Sequence, residues 1–366
     1  MKILLQCFIP IESGPIFTLG LAKGLINNGI DVYAILDEKI ENKDEWNKLL
    51  KRNRVFYIKS CFSIKKHPIL SFKELIRIRN YFRNVKFDYW FDTFPTGACN
   101  KIDYVIDANE SMCIDHDAIP HSSATSEHIR NINKTISKID NVVVLSRNYI
   151  DLVKRKYNLD DSHVFYMRHG SLEYTKMTSK INYENLKDIN FLFFGRIEGY
   201  KGLHVLAAAY KKLKEKYSNI SLTIAGGGDF SEYKATYNNM EDCTVVNKYL
   251  TDEDIVYHFS KPNTVVVLPY LDASQSGVIG MAFNYRTPVI VSDTGGLKEQ
   301  LFDGEMGLFV EPGNAQDLED KMEEFILNKK LYKEQKEKMD SGYKRSTWDY
   351  VTKEFLAQLE NTESWE

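Results

Sequence analysis

The chain alternates short apolar runs with amphipathic helical stretches, and it does so twice, on either side of a polar interruption. In the first half, residues 3–8 read as a buried strand. A turn holding Ser13, Gly14 and Pro15 opens a helix with Leu19, Leu21, Ala22, Leu25 and Ile26 at helical spacing; Asn28-Gly29 closes it, and residues 32–36 form the next strand. This is a βαβ unit. Further strands are expected at 87–91, 102–106, 142–145 and 164–167, with a helix over 147–157. The alternation restarts with strands at 191–194, 222–225, 244–246, 265–268, 289–291 and 308–310, and ends in a tail helix over 346–359. The expected fold class is α/β, with two doubly wound Rossmann-like domains facing across a cleft. Residues 1–172 form the first domain, 173–190 a linker, 191–345 the second domain and 346–366 a C-terminal helix. Ligands of such sheets bind beyond the carboxyl ends of the strands, so the cleft is the expected site.

The charge balance excludes some functions and points to others. The net charge of −3 gives no reason to expect nucleic acid. Residues 1–170 carry 25 Lys+Arg against 20 Asp+Glu, whereas the remainder carries 23 against 31. The excess of positive charge concentrates in residues 51–86, where Lys65, Lys66, Arg77, Arg79 and seven other basic residues face one acid, Glu74. Aromatic and aliphatic residues are interleaved with them, a pattern that an anionic membrane surface attracts and that a solvated helix face also produces. No apolar run reaches the roughly 18–20 residues of a spanning helix, so any membrane contact is expected to be peripheral. Five scattered cysteines without a CxxC pair argue against a disulfide framework or a zinc site and suit a cytoplasmic protein. The opening ten residues are too short and too soon broken by Pro10 to be a signal peptide.

Chemistry gathers at the strand ends. Gly195, Arg196 and, five residues later, Lys201 follow the apolar run 191–194 and precede a patterned helix. Two cations beside a helix N-terminus suit a diphosphate, and they suit its stabilisation as a leaving group; an ion pair between Arg196 and Glu198 is the plainer alternative. Ser274, Gln275, Ser276, Gly277 and Val278 open another helix, either to cradle an anion through backbone N–H groups or simply to cap it. Glycines at 14, 226–228 and 295–296 stand at strand ends, where they allow close approach of a ligand or make tight turns. His116 and His121, five apart across a proline, do not have the spacing of a helical zinc pair; His116 is placed to meet a sugar hydroxyl or to sit in a loop.

In order and spacing, Gly195-Arg196-Ile197-Glu198, Tyr200-Lys201-Gly202, Ile224-Ala225-Gly226-Gly227-Gly228, Leu268-Pro269-Tyr270, Ser274-Gln275-Ser276-Gly277-Val278, Pro288-Val289-Ile290 and Gly295-Gly296-Leu297-Lys298-Glu299 resemble the family 4 retaining glycosyltransferases of the GT-B fold. Ser13-Gly14, the stretch from His116-Asp117 to Pro120-His121, Val144-Leu145-Ser146 and His169-Gly170 extend the likeness loosely into the first half. Trp348-Asp349 resembles the start of the family's last helix, which crosses back onto the first domain. The resemblance implies transfer of a sugar, with retention, from a UDP- or GDP-sugar to a glycan or lipid-linked acceptor in surface polysaccharide synthesis, at the inner face of the cell membrane. It implies that Arg196 and Lys201 hold the departing diphosphate. Ser276, Gly277 and Val278 would contact the distal phosphate and sugar, Gly14 would lie under the donor, and His116 would meet the transferred sugar. Asn247 and Tyr249 would lie near the base. No cofactor and no metal would be required. The chain departs from the family at the paired glutamates: the corresponding positions hold Ala273 or Ser274, and Met281 or Ala282. Ser274 or Gln275 would orient the sugar in place of the first. An epimerase or phosphorylase on the same scaffold, and a non-catalytic nucleotide-sugar-binding subunit, are the competing readings.

Overall fold

Among the described residues every strand pairing is parallel, as buried strands joined through crossover connections require. The computed structural model describes residues 1–11, 13–59, 67–95, 102–120, 125–172 and 187–363. They divide into two units: one combines Met1–Pro120, Ala124–Gly170 and Thr347–Glu366, and the other is built on Ser171–Ser346. The basic residues Lys65 and Lys66, and His121, lie outside the described residues.

The first unit runs β1 (Lys2–Cys7), α1 (Ser13–Asn27), β2 (Asp31–Asp37), α2 (Lys43–Leu49), β3 (Val55–Ile58), α3 (Pro68–Phe82), β4 (Phe87–Asp92), β5 (Ala108–Asp115), α4 (Ser126–Ile136), β6 (Asn141–Val144), α5 (Ile150–Tyr157) and β7 (Val164–Tyr166). Its sheet order is β3-β2-β1-β4-β5-β6-β7. The strand expected at 102–106 is instead a turn. Ile102 and Ile106, four residues apart, close that turn through Ile106 N–H to Ile102 O at 3.2 Å, and both side chains are buried. The strand lies further on because Met112, Cys113 and Ile114 fill both faces of β5. Its polar entry hid it: Ser111 is held by Asp140, and Glu110 by Asn141. The basic stretch likewise contains an unforeseen strand, β3, whose Phe56 and Ile58 are buried with Ile78 and Phe82 of α3.

The second unit runs β8 (Ile189–Phe194), α6 (Leu203–Lys216), β9 (Ile220–Ala225), α7 (Ser231–Asn238), β10 (Cys243–Val246), α8 (Asp252–Ser260), β11 (Thr264–Leu268), α9 (Gly277–Tyr285), β12 (Val289–Ser292), α10 (Leu297–Gln300), β13 (Leu308–Val310), α11 (Ala315–Leu327) and α12 (Lys329–Ser346). The sheet order is β10-β9-β8-β11-β12-β13. β8 begins two residues before the apolar run that marks it in the sequence. Asn190 can be buried there because Thr264 Oγ1 accepts from its Nδ2 and Ser221 Oγ donates to its Oδ1.

A last helix, α13 (Trp348–Glu363), returns to the first unit and packs on α1. Trp348, Val351, Phe355 and Leu359 join Phe17, Leu21 and Leu25 in one core. The tryptophan fits because α1 presents glycines to it: a Cβ on Gly20 would meet Trp348 Nε1 at 2.0 Å, and one on Gly24 would meet the Trp348 carbonyl oxygen at 2.5 Å. Farther along, the Gln358 carboxamide bonds both main-chain groups of Tyr166, closing the exposed edge of β7.

Candidate active site

In the second unit, β8 and β11 are neighbours from which the sheet grows in opposite directions. In doubly wound sheets, ligands bind beyond the carboxyl ends of the strands at such a switch point. The loop after β8 carries Gly195, Arg196 and Lys201. It lies against the end of β11 because Gly202 has φ +69 and no side chain; a Cβ there would stand 1.9 Å from the Pro269 carbonyl oxygen. Leu271 N–H donates to Tyr200 O at 2.7 Å and ties the two loops together.

This approach delivers the Lys201 ammonium onto Tyr270. Nζ donates to Tyr270 Oη at 3.0 Å and lies 4.2 Å from the ring centroid, with Tyr200 on another side at 5.2 Å. Lys201 is only 8% exposed, and among the described residues no carboxylate pairs with it. Burial pulls its pKa down, but Tyr270 and Tyr200 more than offset this, so the group titrates above its ordinary value and stays charged at neutral pH. The ammonium therefore stays charged without a carboxylate beside it, and a bound anion would supply the missing counter-charge. Arg196 is unlike it: its side chain is 65% exposed, and Nη1 lies 3.3 Å from Glu198 Oε1, the ion pair that the sequence allowed for.

The N-terminus of α9 completes the site. A Cβ built on Gly195 would lie 3.5 Å from Val278 Cγ2 and 3.8 Å from Lys201 Nζ, so these three converge. Ser276 occupies the N-cap position but makes no side-chain cap bond; its hydroxyl lies 3.4 Å from Tyr270 Oη. Ser274 is buried, while Gln275 is half-buried with an Oε1 that has no hydrogen-bond partner. A Cβ built on Gly277 would come within 3.4 Å of Leu172 Cδ1. Asn247 and Tyr249 stand apart, after β10 and two strands from β8; Asn247 Nδ2 donates to Gly228 O, and Tyr249 is 62% exposed. The Gly226 turn serves chain packing, since a Cβ there would meet Gly195 O at 1.8 Å. Tyr270 and Gln300 escaped sequence reasoning. Tyr270 carried a signal as the end of a Leu-Pro-Tyr run. Gln300 carried none, because its partner lies 24 residues away.

The first unit has its own switch point, between β1 and β4. Gly14 is buried in the first turn of α1, 3.0 Å (from its would-be Cβ) from Ile9 Cβ. His116, just past β5, stacks on Phe94 at 4.1 Å and lies 2.8 Å through Nε2 from Thr93 O. A carbonyl oxygen only accepts, so Nε2 carries the proton. Burial lowers the pKa of this ring, which leaves Nδ1 a neutral acceptor. His169 is held the other way, with Nδ1 donating to Gly170 O at 2.7 Å, and burial brings its pKa to about 4. Both rings meet Phe17 edge-on. No group of three metal-ligating residues occurs among the described residues. The buried Cys7 and Cys113 thiols are pushed up in pKa, which disfavours thiolate chemistry.

Residues 176–341 match the family described as glycosyl transferases group 1. An uncharacterized glycosyltransferase of Methanocaldococcus jannaschii is 30% identical over 182 residues, 48% of this chain and 49% of the relative. The chain spans about half the length of the curated relatives it matches. Sucrose-phosphate synthase from Thermosynechococcus elongatus superposes with a TM-score of 0.73 at 15% identity, covering all of both chains. HepE of Anabaena, solved in complex with UDP and glucose, superposes with a TM-score of 0.70 at 15% identity, again over both whole chains. The fold is GT-B, with Rossmann-like sheets of seven and six strands. The whole Gly195–Lys201–α9 cluster lies within the residues that match this family.

Proposed function

We propose that the protein is a retaining glycosyltransferase that moves a sugar from a UDP- or GDP-sugar to a glycan or lipid-linked acceptor of the cell surface. One observation carries the reading: the buried Lys201 ammonium, with no carboxylate partner among the described residues, beside the N-terminus of α9 at the switch point of the second sheet, within the residues that match the group 1 glycosyltransferase family. As the bond from the anomeric carbon to the distal phosphate oxygen breaks, negative charge collects on the departing diphosphate. Lys201 and the helix end are already in place to receive it, and Arg196 can turn from Glu198 to join them. The acceptor hydroxyl bonds to the anomeric carbon and its proton passes to the diphosphate. In the first unit, His116 keeps a neutral Nδ1 that can accept from a sugar hydroxyl. Gln275, with an unsatisfied buried oxygen, takes the sugar-orienting role that a glutamate has elsewhere in the family. Protein charges supply what a divalent ion would otherwise supply. Calorimetry with UDP and GDP in the presence of EDTA is therefore expected to show binding of one of them, and incubation with the matching sugar donors slow donor hydrolysis. Absence of binding without added metal, or epimerised donor, would overturn the reading.

The lipid-linked acceptor is supported by α3. Ile69 (72%), Phe72 (65%), Leu70 (47%) and Ile76 (45%) are exposed on this helix, among Lys73, Arg79 and Arg83. Arg77 contributes less charge than the sequence suggests, because its guanidinium bonds both oxygens of Glu74 and lies over Phe56. The helix pairs large apolar side chains with cations, as interfacial helices do. Among the described residues no helix is long and apolar enough to cross a membrane. Replacing Ile69 and Phe72 by Ser is expected to reduce sedimentation with phosphatidylglycerol vesicles at least about tenfold, since each buried CH2 contributes about 0.8 kcal/mol. Unchanged sedimentation, or none by the original protein, would remove the membrane from the proposal.

A further inference from the structure

The N-terminus of α9 is shaped by a side chain from another element. Gln300, at the end of α10, is 4% exposed, and its carboxamide engages both main-chain groups of Ser276. Ser276 N–H donates to Gln300 Oε1 at 3.1 Å, and Gln300 Nε2 donates to Ser276 O at 2.8 Å. A helix start leaves its first N–H groups without intrahelical partners, and an N-cap side chain ordinarily orients that turn. Ser276 holds the cap position without doing so, its hydroxyl lying 3.4 Å from Tyr270 Oη, the oxygen that accepts from Lys201. Two hydrogen bonds from one planar amide hold the backbone on both sides of Ser276 Cα in a way that one could not. Ser276 O also accepts from Ile279 N–H, so the same carbonyl that Gln300 holds begins the helix.

We infer that Gln300 is a positioning residue for the donor diphosphate: it sets the direction of the N–H groups at the start of α9 relative to the Lys201 ammonium. This rests on the donor-site reading above. Gln300 reaches neither the donor nor the reacting atoms; it acts through Ser276. Its loss is therefore felt by the phosphate end of a ligand and not by the nucleoside end.

The test compares the nucleoside diphosphate that the original protein binds, UDP or GDP, with its parent nucleoside, by calorimetry and saturation-transfer NMR respectively. Gln300→Met keeps the length of the side chain and removes both hydrogen bonds. It is expected to weaken the diphosphate about tenfold or more and leave the nucleoside within about twofold. Gln300→Glu supplies a second, independent readout. As a carboxylate it opposes Ser276 O; once protonated it again offers one donor and one acceptor, as glutamine does. Diphosphate affinity of this variant, relative to the original protein, is expected to recover as the pH is lowered from 8 to 5. Equal diphosphate affinity in Gln300→Met and the original protein overturns the inference, as does equal loss for diphosphate and nucleoside in a folded variant. If Gln300→Met does not fold, a flat pH response of Gln300→Glu overturns it. Failure of the original protein to bind either diphosphate would instead strike the donor-site reading itself.

Discussion

Lys201→Met is expected to lower kcat by about 10²–10³-fold while leaving donor affinity within about tenfold, measured as initial rates across donor concentration. Methionine preserves the length that packs over Tyr270, so the substitution removes charge more than volume. The asymmetry between kcat and affinity follows from where the charge lies. In the bound donor the diphosphate is shared with a sugar ester; as that bond breaks, its oxygen gains charge beside an ammonium that is already desolvated and aimed by Tyr270 at 3.0 Å. An interaction that strengthens between ground state and transition state appears in kcat. Arg196→Ala is expected to reduce turnover as well, but part of its effect is in binding, since the side chain starts exposed and paired with Glu198. Full activity in the Arg196→Ala, Lys201→Met double variant would end the assignment.

The second large effect is expected from a single methyl group. Gly202→Ala adds a Cβ at φ +69, 1.9 Å from the main-chain oxygen of Pro269. Neither side can yield by a rotamer change, because backbone meets backbone, so the β8 and β11 loops must separate. The expected cost is about 2–4 kcal/mol of folding stability, from left-handed strain together with lost packing. It is read as a fall in the urea midpoint. Turnover should fall further than stability alone explains, since Lys201 is the adjoining residue. Gly199→Ala, three residues away with nothing within 4 Å of the added carbon, is the control and is expected to be neutral. Equal midpoints for the two variants would show that the loops tolerate separation.

The two-sheet α/β architecture was legible because each buried strand is a continuous apolar run and each helix keeps its own period. Where local pattern and burial disagreed, the reading failed. Ile102 and Ile106 share a turn but imitate a strand; Asn109, Glu110 and Ser111 are strand residues whose polar side chains imitate a loop. Val55 to Ile58 were obscured by the lysines and arginines around them. At the site, Gly195, Arg196, Lys201 and Ser276 stood out because glycines and cations at strand ends are visible along the chain. Tyr270 and Gln300 are neutral residues whose importance lies in what they touch.

The sequence by itself determined the alternation of strands and helices, and with it the parallel sheets and the glycine- and cation-bearing strand ends, since periodicity and glycine placement are local properties of the chain. Only the tertiary structure decided that Lys201 is buried against Tyr270 while Arg196 lies in solvent beside Glu198, and that the serine at the start of α9 is held by Gln300 and not by its own hydroxyl. Those outcomes depend on which residues from distant segments exclude water from one another, and that is settled by the packing of loops from β8, β11 and β12.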